Sequence, residues 1–176
     1  MGQYYKCVNL TKKEVIETWD YNSGSKLMEF SWEGNPVVKV LEHMLATDWK
    51  GDEVYVCGDY ADEDYYNLSD NFKHIIINIK EIPEYKYIVN HNQKIYINLD
   101  NLPINNVYDT GTWEISPLTL LLALGNGRGG GDYWETNNGY EYVGSWCKDT
   151  GKIEVQNEKP PKDYVEFRPD FMNYPA

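Results

Sequence analysis

The stretch Gly125-Asn126-Gly127-Arg128-Gly129-Gly130-Gly131-Asp132 sets one of the chain's two arginines among five glycines. A glycine-rich turn can aim successive backbone N–H groups at one point, and an arginine there adds a planar fork for phosphate or carboxylate. Gly127, Arg128, Gly129, Gly130 and Asp132 are therefore candidate ligand-binding residues. The plain alternative is a mobile linker in which Arg128 pairs with Asp132 or with the acidic run Asp59 to Asp64, because glycine runs commonly serve as turns. Gly125, Gly127 and Gly130 also spell G-x-G-x-x-G, but the dinucleotide fingerprint needs a strand before it and a helix after it. Here an apolar helix precedes the loop and an extended aromatic stretch follows, and the lysine and hydroxyl that end a P-loop are missing.

A second chemical feature is Asp59-Tyr60-Ala61-Asp62-Glu63-Asp64, four acids in six residues at the end of a short predicted strand. Asp59, Asp62 and Asp64 are the residues that could hold a hard cation through carboxylate oxygens. The spacing departs from an EF-hand loop, which alternates its acids and has glycine at the sixth position, so a solvated acidic loop is the simpler reading. Asp59 and Tyr60 join the glycine loop as candidate ligand residues; no metal and no cofactor is expected. His43, His74 and His91 stand alone, without metal-ligand or triad spacing, so no catalytic residue is assigned.

The elements that must position these residues follow from pattern. Gln3 to Leu10 and Val15 to Tyr21 read as a strand pair, and Leu27 to Trp32 as extended or irregular chain. Asn35-Pro36 opens a predicted helix over 36–47, with Val37, Val40, Leu41, Met44 and Leu45 on one stripe and Lys39, Glu42 and Thr47 opposite. Val54 to Cys57 is a short strand, Phe72 to Ile82 a β-branched one, and Tyr85–Val89 with Lys94–Leu99 the best hairpin in the chain. Asp100 to Gly111 reads as loop. Ser116-Pro117 starts a second helix over 117–124, closed by Gly125 as its C-cap. Tyr140–Cys147 and Lys152–Val155 make a terminal hairpin.

The sum is an α+β fold: a single compact domain over 1–155, mostly antiparallel sheet with about two helices. A proline-rich extended tail over 156–176 packs on the sheet or hangs free. Length supports one domain with a real core. A formal charge of −12, from 16 basic and 28 acidic residues, repels phosphates and argues against direct nucleic-acid binding. The same charge suits a basic protein partner or simple solubility, and sixteen tyrosines with six tryptophans suit half-buried strands and contact surfaces. Cys7, Cys57 and Cys147 are odd in number and far apart, which fits a reducing cytoplasm. The longest apolar run, Leu118 to Leu124, is far short of a membrane span, and the N-terminus has no signal-peptide core.

Several blocks carry a resemblance: Met1-Gly2-Gln3-Tyr4-Tyr5, Lys26-Leu27-Met28-Glu29, Trp49-Lys50-Gly51-Asp52, Val54-Tyr55-Val56 with Gly58-Asp59-Tyr60-Ala61, and the glycine loop through Tyr133. They resemble small uncharacterised proteins of bacteria and their phages. The resemblance implies a bacterial or phage cytoplasmic protein and transfers no catalytic residue. The leading expectation is a binding protein without chemistry of its own, such as a phage or mobile-element accessory factor of the anti-defence type. It would meet a protein through its acidic, aromatic surface or a small anion through the glycine loop. The competing expectation is a small enzyme acting on a phosphate-containing molecule, with Arg128 on the phosphate and Asp59, Asp62 or Asp132 as base or metal ligand.

Overall fold

The computed structural model describes residues 2–108 and 111–171. The first sheet is built around β1 (Tyr5–Asn9), whose side chains alternate between two apolar layers. Tyr5 and Cys7 enter the main core, while Val8 packs with Val15 and Cys57 on the opposite face. Its neighbours β2 (Glu14–Ile16) and β3 (Val54–Gly58) run antiparallel to it. Two short strands, β4 (Lys73–His74) on β2 and β9 (Ala123–Leu124) on β3, join in parallel, giving the order β4-β2-β1-β3-β9.

Between β2 and β3, single-turn α1 (Leu27–Phe30) takes the stretch expected to be extended or irregular, and α2 (Pro36–Ala46) is the one long helix among the described residues. Asn35 caps α2 as its type predicts, its Oδ1 accepting from the Val37 N–H at 2.8 Å, with Pro36 in the first position. The apolar stripe is buried as expected, but so are Val38 and Glu42. Glu42 was expected on the polar face; α2 packs on both β2 and β10 (Ile153–Gln156) of the second sheet, and Glu42 is covered where Glu33 and the segment 82–85 meet it.

That second sheet runs β10-β5-β6-β11. Its centre is the expected hairpin, β5 (Tyr87–Asn90) against β6 (Ile95–Asn98), with Asn90 opposite Ile95. Buried Asp149 fixes the turn by accepting from the side chains of Asn90, Asn92 and Gln93 at 2.9, 2.6 and 2.6 Å. In the C-terminal segment, β11 (Val165–Glu166) lies parallel to β6 and Phe171 is buried. Residues 172–176 of the expected tail lie outside the described ones.

Five other expectations change. The expected strand from Val15 to Tyr21 ends at Ile16 and is followed by a 3₁₀ turn at Thr18–Tyr21. Phe72 to Ile82 is strand only at β4, then extended chain, with a 3₁₀ turn at Ile79–Glu81. The expected loop from Asp100 contains β7 (Ile104–Tyr108), paired with β8 (Gly111–Glu114); Asp109 and Thr110 lie outside the described residues. The second helix begins at Ser116-Pro117 but α4 (Pro117–Leu121) stops early, because the Leu122 carbonyl is taken by the Val56 N–H at 2.9 Å and Ala123–Leu124 joins β3. Gly125 thus leaves a strand and not a helix. The terminal hairpin is half present: β10 forms, but it pairs with β5, while Tyr140–Tyr142 and Cys147–Asp149 are 3₁₀ turns.

Candidate functional site

The glycine loop is stitched to the N-terminus. Gln3, fully buried, donates from Nε2 to Asp132 Oδ2 at 2.6 Å and to Asn126 Oδ1 at 3.2 Å. Gly2 bridges Gly130, and the Met28 N–H donates to the Gly131 carbonyl at 2.8 Å. Two glycines are required by this docking. A Cβ on Gly129 would strike Gln3, backbone included, and Gly131 has φ +84° with the Lys26 stem against it.

Three of the loop's amides are met by hydrogen bonds inside it. The Gly129 N–H donates to Asp132 Oδ2 at 3.0 Å, the Arg128 N–H to Asn126 Oδ1 at 2.9 Å, and the Asp132 N–H to the Gly129 carbonyl at 3.1 Å. The Asp132 carboxylate thus occupies the Gly129 amide. The Arg128 side chain is exposed.

Beneath the loop is a cavity of about 250 Å³, walled by the rings of Tyr5, Tyr133 and Tyr140 together with Asn126, Asp132 and Glu141. Tyr133 is fully buried, held edge-on by Phe171 with ring centres 5.6 Å apart, and its hydroxyl donates to the Asn138 carbonyl. Asp132 is 3 % exposed, and its Oδ1 has no hydrogen-bond partner; neither has the Gln3 Oε1 behind it. These are acceptors waiting for donors.

The acidic run meets this site at one residue. Asp59 accepts from the Tyr4 N–H at 2.9 Å and returns its own N–H to the Tyr4 carbonyl at 2.9 Å, which fixes it beside the Gln3–Tyr5 segment. Burial raises the Asp132 carboxyl above its ordinary range; Tyr5, the Gly129 N–H and Gln3 pull it partly back, and the Asp59 charge adds to the rise. The Tyr5 phenol is pushed far up by burial and by Asp132. Tyr60 is 39 % exposed; Asp62, Glu63 and Asp64 are exposed, and Asp64 accepts from Asn67 at 2.8 Å. Among the described residues no three His, Cys, Asp or Glu side chains are grouped to hold a metal ion, and no helix is long and apolar enough to cross a membrane.

No family model, curated protein or solved structure matches this chain. The site must be read from its own residues.

Sequence reasoning missed Gln3, Tyr5, Asn126, Tyr133, Tyr140 and Glu141. Gln3 and Tyr5 lie in a segment read as a plain strand, and only the docking of the N-terminus against the loop brings them to Asp132. It also missed a buried carboxylate pair, Glu33 and Glu42, on a separate crevice. Burial pushes both carboxyls up.

Proposed function

We propose that this chain is a binding protein for a basic protein partner, and that the cavity under the glycine loop receives one lysine or arginine side chain of that partner. The observation that carries the reading is the buried Oδ1 of Asp132, which no hydrogen bond satisfies, in a wall that includes Tyr5, Tyr133 and Tyr140. A carboxylate supplies a charge-assisted acceptor, and tyrosine faces attract a cation through their quadrupoles. An ammonium or guanidinium adds donors to the Tyr5 phenol already beside Asp132; a phosphate brings more acceptors and would face Asp132, Asp59 and Glu141.

Surroundings fit the same partner. A charge of −12 steers basic proteins toward the surface. Exposed Tyr4, Tyr60, Trp134 and Tyr142 lie on the segments that border the cavity, and aromatic residues of this kind form the anchors of protein interfaces. In the setting implied by the resemblance to small bacterial and phage proteins, the partner is a basic host or phage protein of the cytoplasm, met by an accessory factor.

The test is fluorescence anisotropy with a labelled peptide rich in lysine and arginine, beside its glutamine-substituted counterpart. The basic peptide should bind, weaken as salt is raised, and lose roughly tenfold in affinity to Asp132→Asn, which keeps the shape and removes the charge. Equal binding of the glutamine peptide, or displacement of the basic peptide by low concentrations of inorganic phosphate, would overturn the reading.

A further inference from the structure

A second crevice, of about 350 Å³, opens beside the N-terminal half of α2 and is distinct from the tyrosine cavity. Its walls carry five carboxylates, Glu33, Glu42, Glu84, Asp100 and Glu114, against one basic side chain, Lys39. Ile82, Pro83 and Leu99 supply an apolar strip alongside them. Glu42 is 6 % exposed and Glu33 faces it, yet Glu33 Oε1 and Glu42 Oε2 are both buried without a hydrogen-bond partner, as is the hydroxyl of neighbouring Ser116. Two buried acids this close are unfavourable to folding when both are charged, and the Ser116 hydroxyl and a proton shared within the pair offset that only in part. A structural ion pair would have put a cation between them.

We propose that this crevice binds a linear aliphatic amine, its ammonium head on the Glu33–Glu42 pair and its alkyl stem along Ile82, Pro83 and Leu99. A primary ammonium carries three donors, enough for both carboxylates and the hydroxyl behind them. Glu84, Asp100 and Glu114 then offer a second ammonium an anionic seat, which makes a diamine a better fit than a monoamine. A metal ion is a poorer occupant, since no three acidic side chains among the described residues are grouped to ligate one.

Binding is coupled to protons. Around the pair stand Lys39 from α2, Glu114 from β8, Ser116, and Tyr85, whose hydroxyl bonds His43 Nδ1 at 2.7 Å. Burial first favours retention of a proton on the empty pair; the Glu33 charge adds to this at Glu42 and the Glu114 charge at Glu33, and Ser116 and Lys39 only partly offset it. The ammonium takes that proton's place, so the amine binds more tightly as pH rises.

Titration calorimetry with 1,4-diaminobutane in two buffers of different ionisation heat tests this on the whole chain, with potassium chloride at matched ionic strength as the blank. The expected result is saturable heat with proton release, and an affinity at about pH 8 that is several-fold higher than at about pH 6. Glu42→Gln and Glu33→Gln, each checked for fold by circular dichroism, should each weaken binding roughly tenfold or more, the loss of one charge-assisted contact. Asp163→Asn, at an exposed acid that lines neither cavity, should leave it unchanged. Heat no greater than the salt blank, or full affinity in both glutamine variants, would overturn the proposal. Loss of binding in Asp132→Asn alone would move the amine to the tyrosine cavity and reject this crevice without touching the function proposed for that cavity.

Discussion

Gln3 Nε2 lies 2.6 Å from Asp132 Oδ2, a contact that spans 129 positions of sequence and joins the first strand to the glycine loop. The same amide reaches Asn126, so one side chain sets both ends of the loop. Gln3→Ala should destabilise the chain by about 1–3 kcal/mol, because it leaves a buried carboxylate short of a donor as well as opening a void. Urea unfolding measures it. A change within experimental scatter would mean that the loop is held by other contacts.

The buried acids set a pH dependence whose sign is fixed by their direction. Glu33 is pushed up to about 7 by burial, with Glu114 adding to the rise and Ser116 and Lys39 opposing it; Glu42 is raised by burial and by Glu33. A carboxyl whose folded value lies above its unfolded one makes the folded state bind more protons, so stability is lost as pH rises from the unfolded value through the folded one. The melting temperature should therefore fall between about pH 5 and pH 8. Glu42→Gln should flatten that fall and melt higher than the parent at the alkaline end. A parallel pH profile for parent and variant would show that the pair ionises like exposed carboxylates.

Asp149 has the opposite sign. Burial raises its carboxyl, but the amides of Asn90, Gln93 and Asn92, with Lys148, together outweigh that and hold it below the ordinary range. Its contribution is present above the unfolded value and lost as pH falls through the folded one. Asp149→Ala strands three side-chain donors in the β5–β6 turn and should cost about 2–4 kcal/mol. Hydrogen exchange of β5 and β6 should quicken in this variant. Unchanged exchange there would show that the turn holds without it.

The Asn35 cap gives a smaller test of local structure. Asn35→Ala removes the acceptor of the Val37 N–H and the 3.2 Å donation from Nδ2 to Ser23. A loss of about 1 kcal/mol in chemical denaturation is expected. No loss would mean that α2 is held by packing alone.

What could be read from the residues was whatever local chemistry decides. The Asn35-Pro36 cap, the stripe of α2 and the β5–β6 hairpin follow from patterns within a dozen residues, and each is where it was expected. The end of α4 was not legible, because a backbone bond from Val56 ends it, and that strand is more than sixty residues away in sequence. Glu42 looked solvent-facing since its helical position is opposite the apolar stripe; Glu33 and the distant segment 82–85 cover it. The glycine loop was visible as a feature, but not the contacts its own side chains make. The Gly129 and Arg128 amides are met by Asp132 and Asn126 within the same loop, which sequence spacing does not reveal.

The most direct test is a ¹⁵N-resolved NMR titration with Nα-acetyl-lysine amide and Nα-acetyl-arginine amide, with inorganic phosphate as the opposing probe. The account predicts that either cation shifts the backbone resonances of Gly125, Asn126, Gly127 and Tyr140 in a saturable way, that Asp132→Asn abolishes the response, and that phosphate leaves these resonances in place. Shifts produced by phosphate but by neither cation would contradict it.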